Sequence, residues 1–240
     1  MVKIPFKVSA RTARLIGREN VATPKGAVIE LVKNGYDADS RYSIVYIDNK
    51  YSVFHELLSV EQYIALQNVG IELSLLEKIY IKKGEEYVAE NSTNPGIPLL
   101  IEQQKKNAEL YIIDCGEGMS RDIIENYWMT IGTDNKSNNF ITPNGRIKAG
   151  AKGIGRFALD KLGERCEMLT FFDVNVHNCK DEDSAFKGYR WNVNWNDFEG
   201  VDKTIEHVDP EIEGNSTTYN ENIEILNIPD SIKDLLKVSK

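Results

Sequence analysis

Along the 240 residues the spacing of apolar positions changes several times, and each change marks an element. "TPKGAVIELVKNGYDAD" repeats at helical spacing and predicts a helix, with Thr23 as its cap and Pro24 in the first turn, where a missing N–H costs least. "RYSIVYID" is rich in β-branched and aromatic residues and reads as a strand. "AELYIIDCGEGMS" reads as a second strand, apolar until it stops at Asp114 and a glycine turn, and "SRDIIENYWMT" as a serine-capped helix. "CEMLTFF" reads as a buried strand. "GYRWNVNW" alternates Tyr189, Trp191, Val193 and Trp195 with polar residues, the pattern of a strand with one face in a core. "NIEILNI" reads as a further strand and "PDSIKDLLK" as a closing capped helix.

Residues 49 to about 107 are partly helical in pattern, then polar, then helical again. Core strands are expected on either side, so this stretch reads as an insertion packed on a main domain. No internal repeat is visible. Helices early in the chain and strands late predict an α+β sandwich rather than alternating βαβ units.

Composition changes this picture little. Hydrophobic residues make up 41% and charged residues 28%, which suits a globular protein. No apolar run approaches the ~20 residues that span a bilayer, and the first 20 residues have no apolar core of a signal peptide. Cys115, Cys166 and Cys179 are odd in number and lack CxxC spacing, which argues against a disulfide framework or a zinc site and for a reducing, cytoplasmic setting. A net charge of −8 opposes binding of nucleic acid by the whole domain, although lysines and arginines between Lys136 and Arg165 form a local basic stretch.

Four stretches carry candidate chemistry. "GAKGIGRFA" places three glycines beside Lys152 and Arg156 just before a predicted helix, and a helix start offers unpaired N–H groups to an anion such as phosphate. It fits neither the GxxxxGK[ST] loop nor a dinucleotide fold, and a plain glycine turn fits the stretch equally well. At 100° per residue Glu30, Asn34 and Asp37 fall within about 60° of one another, opposite Val28 and Val32. That stripe suits a solvated face or a site. Asn34 and Gly35 are poor helix formers and so weaken the first reading. Asp114 ends an apolar strand with Gly116 and Gly118 behind it, which suits a ligand at a sheet edge or a simple turn. "IGTDNKS" with Thr133 and Lys136, and the polar residues up to Gly150, read as a mobile loop.

In order, "ELVKNGYDA", "DCGEGM", "IGTDNK" and "GAKGIGRFA" resemble the N box, first glycine box, lid and second glycine box of the GHKL superfamily, which includes gyrase, the ninety-kilodalton heat-shock chaperone, histidine kinases and MutL. The resemblance is closest to the chaperone, MutL and microrchidia side and to bacterial ATP-binding proteins. It implies the Bergerat fold, a two-layer sandwich with a mixed, mostly antiparallel sheet and helices on one face. It implies a lid at about 120–152 and Mg2+-dependent ATP binding and hydrolysis.

By the same resemblance Glu30 activates the attacking water, Asn34 holds magnesium, and Asp37 acts near the nucleotide through water. Asp114 accepts from the adenine amino group, with Gly116, Gly118 and Met119 shaping that pocket. Thr133 and Lys136 belong to the lid. Lys152, Gly153, Ile154, Gly155, Arg156 and Phe157 wrap the triphosphate, and Thr217 is the nearest match to a late Gly-Thr. The implied partners are ATP, a second copy of the chain in an ATP-dependent dimer, and a following domain or protein. Membranes are not among them, and direct nucleic-acid binding is not expected. The family commonly draws a γ-phosphate cation from a following domain, so slow hydrolysis by this chain alone, or nucleotide sensing without turnover, is the alternative. His55, His177 and His207 lack the setting of a phosphoacceptor.

Overall fold

The structure, a computed structural model, describes residues 7–50, 52–130, 140–149, 155–174, 176–177 and 185–239, without the side chains of residues 17, 155 and 157. The chain divides into two compact units, Met1–Ile44 with Ile112–Lys240, and Val45–Tyr111. Thr133, Lys136, Lys152, Gly153, Ile154 and Cys179 lie outside the described residues.

In the first unit, α1 (Ala10–Asn20) is followed by α2 (Pro24–Asp37). The Thr23 hydroxyl accepts from the Gly26 N–H at 3.1 Å, a cap that contributes about 1 kcal/mol. Strand β1 (Ser43–Asp48) leads into the second unit. There β2 (Leu57–Ser59), α3 (Val60–Asn68), α4 (Leu73–Ile79), β3 (Tyr80–Lys83), β4 (Glu86–Ala89) and α5 (Ile97–Lys105) follow one another. The chain leaves through β5 (Glu109–Asp114), which pairs with β1.

The second unit is more than the helices and loops that the pattern predicts. Strands β3 and β4 form a hairpin through Gly84, whose φ of +66° the tight turn requires, and β2 pairs antiparallel with β4 to give the order β2-β4-β3. A Ser59–Gln62 capping box opens α3, and Gly70, at φ +88°, turns the chain into α4. Leu58, Tyr63, Leu66, Leu76, Ile79 and Leu100 fill the core, and the rings of Tyr63 and Tyr87 stack at 3.7 Å. Two helices joined by a short turn thus lie between β2 and the β3–β4 hairpin, and α5 follows the hairpin. Over residues 45–111 ten acidic residues face six lysines and no arginine, a balance that opposes a phosphate backbone.

Back in the first unit, α6 (Arg121–Ile123) runs on as a π-helix over Ile124–Trp128, and a 3-10 helix spans Gly155–Lys161. Strands β6 (Arg165–Thr170), β7 (Gly188–Asn194) and β8 (Glu211–Asn215) form an antiparallel sheet with β7 central. Tyr189, Trp191, Val193 and Trp195 are buried as their alternation predicts, and they pack with Ala10, Ile124 and Leu159 from the helical layer. This unit is a two-layer α+β sandwich. Helices α7 (Tyr219–Ile225) and α8 (Asp230–Lys237) close the chain.

The strand expected at "NIEILNI" is a correction: residues 222–225 continue α7 and the rest follow its end, because Thr218 and Glu221 form a capping box that starts a helix there. The third strand of the sheet is instead "EIEGN", an edge strand whose acidic residues hide its period. The 3-10 helix is held to α1 by a buried carboxylate: Asp160, whose side chain is 1% exposed, pairs with Arg14 and Arg18 at 2.5 Å each. Removing one member of such a buried group leaves uncompensated charge, so Asp160→Ala is expected to lower unfolding free energy by about 3 kcal/mol. Urea denaturation followed by tryptophan fluorescence measures this.

Candidate functional site

The site is built where the C-terminal end of α2 meets the exit of β5. A Cβ added to Gly35 would lie 2.9 Å from the Ser43 hydroxyl and 3.0 Å from the Asp114 Cβ, so only glycine lets the helix backbone come this close. Around that contact the two segments are laced together. The Ser40 hydroxyl accepts the Cys115 N–H at 2.8 Å while donating to the Tyr42 carbonyl, and the Glu117 N–H donates to the Ala38 carbonyl at 3.0 Å. The Gly116 N–H donates to Asp114 Oδ1 at 2.8 Å, and a Cβ on Gly116 would lie 2.6 Å from the Ala38 oxygen. Asp114 itself is exposed at the sheet edge.

The three stripe residues of α2 differ in their surroundings. Glu30 is half-buried, and its Oε1 accepts from Lys33 Nζ at 2.7 Å. Asn34 is half-buried one turn further on. Asp37 is buried, and its Oδ1 accepts the Ala149 N–H at 2.6 Å. It therefore bonds directly to the backbone just ahead of the second glycine box.

The first glycine box rests on the end of β6. Gly118 has φ +70°, and an added Cβ would overlap the Phe171 carbonyl. The Met119 N–H donates to Thr170 Oγ1 at 2.9 Å, and the Asp173 N–H to the Glu117 carbonyl at 2.9 Å. Burial raises the Glu117 carboxyl above its ordinary range, against the opposing charges of His177 and Lys148.

The 3-10 helix that begins at Gly155 packs on α2 through Ala27 and Ala158, so the helix after the glycine box and the helix carrying Glu30 and Asn34 are neighbours. Arg156 is turned inward. Its guanidinium donates to the Tyr127 carbonyl at 2.5 Å and lies 5.5 Å over the Trp128 ring, and burial lowers its pKa to about 10. Thr217 is exposed and bonds to the Asn215 side chain, while its neighbour Thr218 caps α7.

Residues 140–149, within the stretch that reads as a mobile loop, form a hairpin. Ile141 bridges Ile147, the Thr142 N–H donates to the Arg146 carbonyl at 2.9 Å, and Gly145 takes φ +82° in the turn. "TPNGR" carries the signal for this, Pro and Asn in the turn followed by a left-handed glycine. Tyr219 is another residue the pattern did not single out. Its hydroxyl is pushed up to about 12, first by burial and then by the charges of Tyr42, Cys115 and Asp114, and it donates to the Leu236 carbonyl at 3.3 Å. Burial pushes the Cys115 thiol up, but hydrogen bonds from Ser40 and from the Arg41 and Tyr42 backbone outweigh it and leave the pKa lowered.

Among the described residues no group of three or more His, Cys, Asp or Glu could hold a metal. A magnesium ion bound with ATP does not need one, because it keeps several waters and takes phosphate oxygens, leaving one protein oxygen to be found. The Asn34 amide on the Glu30 side of α2 fits that requirement.

The sequence model of the histidine kinase-, DNA gyrase B- and HSP90-like ATPases matches residues 22–212, a span that holds α2, Asp114 and both glycine boxes and leaves out Thr217. No curated protein matches the chain. A helix stripe of acid and amide, a strand-end aspartate pressed against the same helix and a glycine box leading into a neighbouring helix thus have one common explanation: the chain belongs to the histidine kinase-, DNA gyrase B- and HSP90-like ATPase family.

Proposed function

We propose that this domain binds ATP with Mg2+ and hydrolyses it. The observation that carries the reading is the contact at Gly35, which sets Asp114 directly against the helix bearing Glu30 and Asn34. Asp114 accepts from the adenine amino group, and Gly116, Gly118 and Met119 form the walls around the base. The amides of Gly153, Ile154 and Gly155 wrap the phosphates with Lys152 beside them, and Thr133 and Lys136 close from the lid. Magnesium, held by Asn34 and the phosphates, supplies charge neutralisation. Glu30 takes the proton of the attacking water, the general-base role that a carboxylate performs when it reaches that water.

Asp37 acts on this site through the Ala149 amide. Arg156 supports it from below, through the Tyr127 carbonyl. Coupling of the nucleotide state to dimerisation or to a following domain belongs to the same proposal and is supported by family membership. Three cysteines without CxxC spacing fit a reducing, cytoplasmic setting.

One observation favours a second reading, nucleotide sensing with little turnover. The Lys33 ammonium already occupies one oxygen of Glu30 at 2.7 Å, in competition with a water. Two variants separate the readings. If Glu30 is the base, Glu30→Ala retains ATP affinity and loses turnover by about 100-fold or more, and release of the carboxylate in Lys33→Ala raises turnover. Steady-state phosphate release beside calorimetric affinity decides, and equal turnover in wild type and Glu30→Ala would sink the hydrolytic reading.

A further prediction concerns the base. Asp114→Ala is expected to weaken ATP by about tenfold or more, since a charge-assisted bond is lost, while inorganic triphosphate is bound as before. Competition calorimetry checks both affinities.

A further inference from the structure

Asp39 follows the cap of α2 with φ +58°. Helix ends ordinarily give that left-handed position to glycine or asparagine. A carboxylate there also faces the negative end of the helix dipole, and Asp37 adds a second one at the last helical residue. Two locally unfavourable carboxylates at one helix end require partners, and the 140–149 hairpin supplies them.

Asp39 Oδ1 accepts from the Thr142 hydroxyl at 2.5 Å, and Oδ2 from the Asn144 N–H at 2.9 Å. Thr142 is buried, and its hydroxyl oxygen accepts in turn from the Arg146 N–H at 3.0 Å. The Arg146 guanidinium donates to the Ser40 carbonyl at 2.7 Å, stands 3.7 Å from the Asp39 carboxylate and lies 5.2 Å over the Tyr36 ring. Asp37 takes the Ala149 N–H at the far end of the hairpin. The hairpin is therefore pinned along its length to the end of the helix that carries Glu30 and Asn34, and Ala149 is followed at once by the glycine box.

We propose that Asp39 is a positioning residue for triphosphate binding: with Thr142 and Arg146 it latches the hairpin onto the end of α2 and so sets where the chain enters the second glycine box. This rests on the ATP reading above. A latch of this kind acts on the phosphates and leaves the adenine pocket, which β5 and the first glycine box build, as it was. A residue that merely stabilised the fold would weaken every ligand alike.

The test uses the whole chain with Asp39→Asn, which tolerates the left-handed backbone but lacks the charge, and with Thr142→Val, which keeps the carboxylate and removes one donor. Hydrogen exchange without nucleotide is expected to speed up at the amides of Asn144 and Ala149 in both variants. Calorimetry is expected to show ATP weakened by about tenfold in Asp39→Asn, the loss of a charge-assisted bond, with adenosine affinity held within twofold. Unchanged exchange, or a loss for adenosine equal to that for ATP, overturns the proposal. A wild-type chain that binds no ATP overturns the nucleotide reading and this role with it, while the exchange result still decides whether the latch exists.

Discussion

Everything in the candidate site depends on the missing side chain of Gly35. Helix α2 carries the acid and the amide, β5 ends in the Asp114 carboxylate, and the two can meet only because a helix backbone approaches a strand end with nothing between them. The same close approach brings the Ala38 carbonyl to the Glu117 N–H and the Ser40 hydroxyl to the Cys115 N–H. Glycine inside a helix costs about 1 kcal/mol against alanine. That local cost is offset by a joint in which the end of α2 and the end of β5 are fixed to one another.

The end of α2 is governed by electrostatics of the opposite kind. Asp37 and Asp39 lie where the helix dipole disfavours negative charge, and Asp39 takes backbone angles that cost of order 1–3 kcal/mol. Both are satisfied by N–H groups, a hydroxyl and Arg146 from the hairpin, so the unfavourable end of the helix becomes an attachment point. Arg156 shows how a basic residue beside a glycine box can serve from beneath. Desolvated against Trp128 and bonded to the Tyr127 carbonyl, it ties the start of the 3-10 helix to the end of the π-helix.

Legibility varied with how local the determining interaction was. The alternation of Tyr189, Trp191, Val193 and Trp195 is a local pattern and placed β7 correctly, since each side chain's burial follows from its own position on the pleat. The capping signals at Thr23 and Ser120 behaved likewise. The stretch after Thr218 was misread because its β-branched residues outweighed a capping box that was also there to see. Edge strand β8 was missed for the complementary reason, its polar residues being set by exposure rather than by strand preference. In the second unit, the hairpin at Gly84 and the pairing of β2 with β4 turn an apparently helical insertion into a small mixed fold.

The sequence by itself determined the residue types and their order: a helix with Glu30, Asn34 and Asp37 on one stripe, an aspartate at a strand end before two glycines, and a glycine box before a helix. Those are enough for family membership, because each depends on neighbours within a few positions along the chain. Tertiary structure alone decided that Asp37 serves a backbone amide, that Asp39 and Arg146 hold a hairpin and that Arg156 points inward. The physical reason is that a side chain's partner is fixed by which distant segments pack together. Ser40 with Cys115, or Asp39 with Thr142, are pairs that no local period along the chain records.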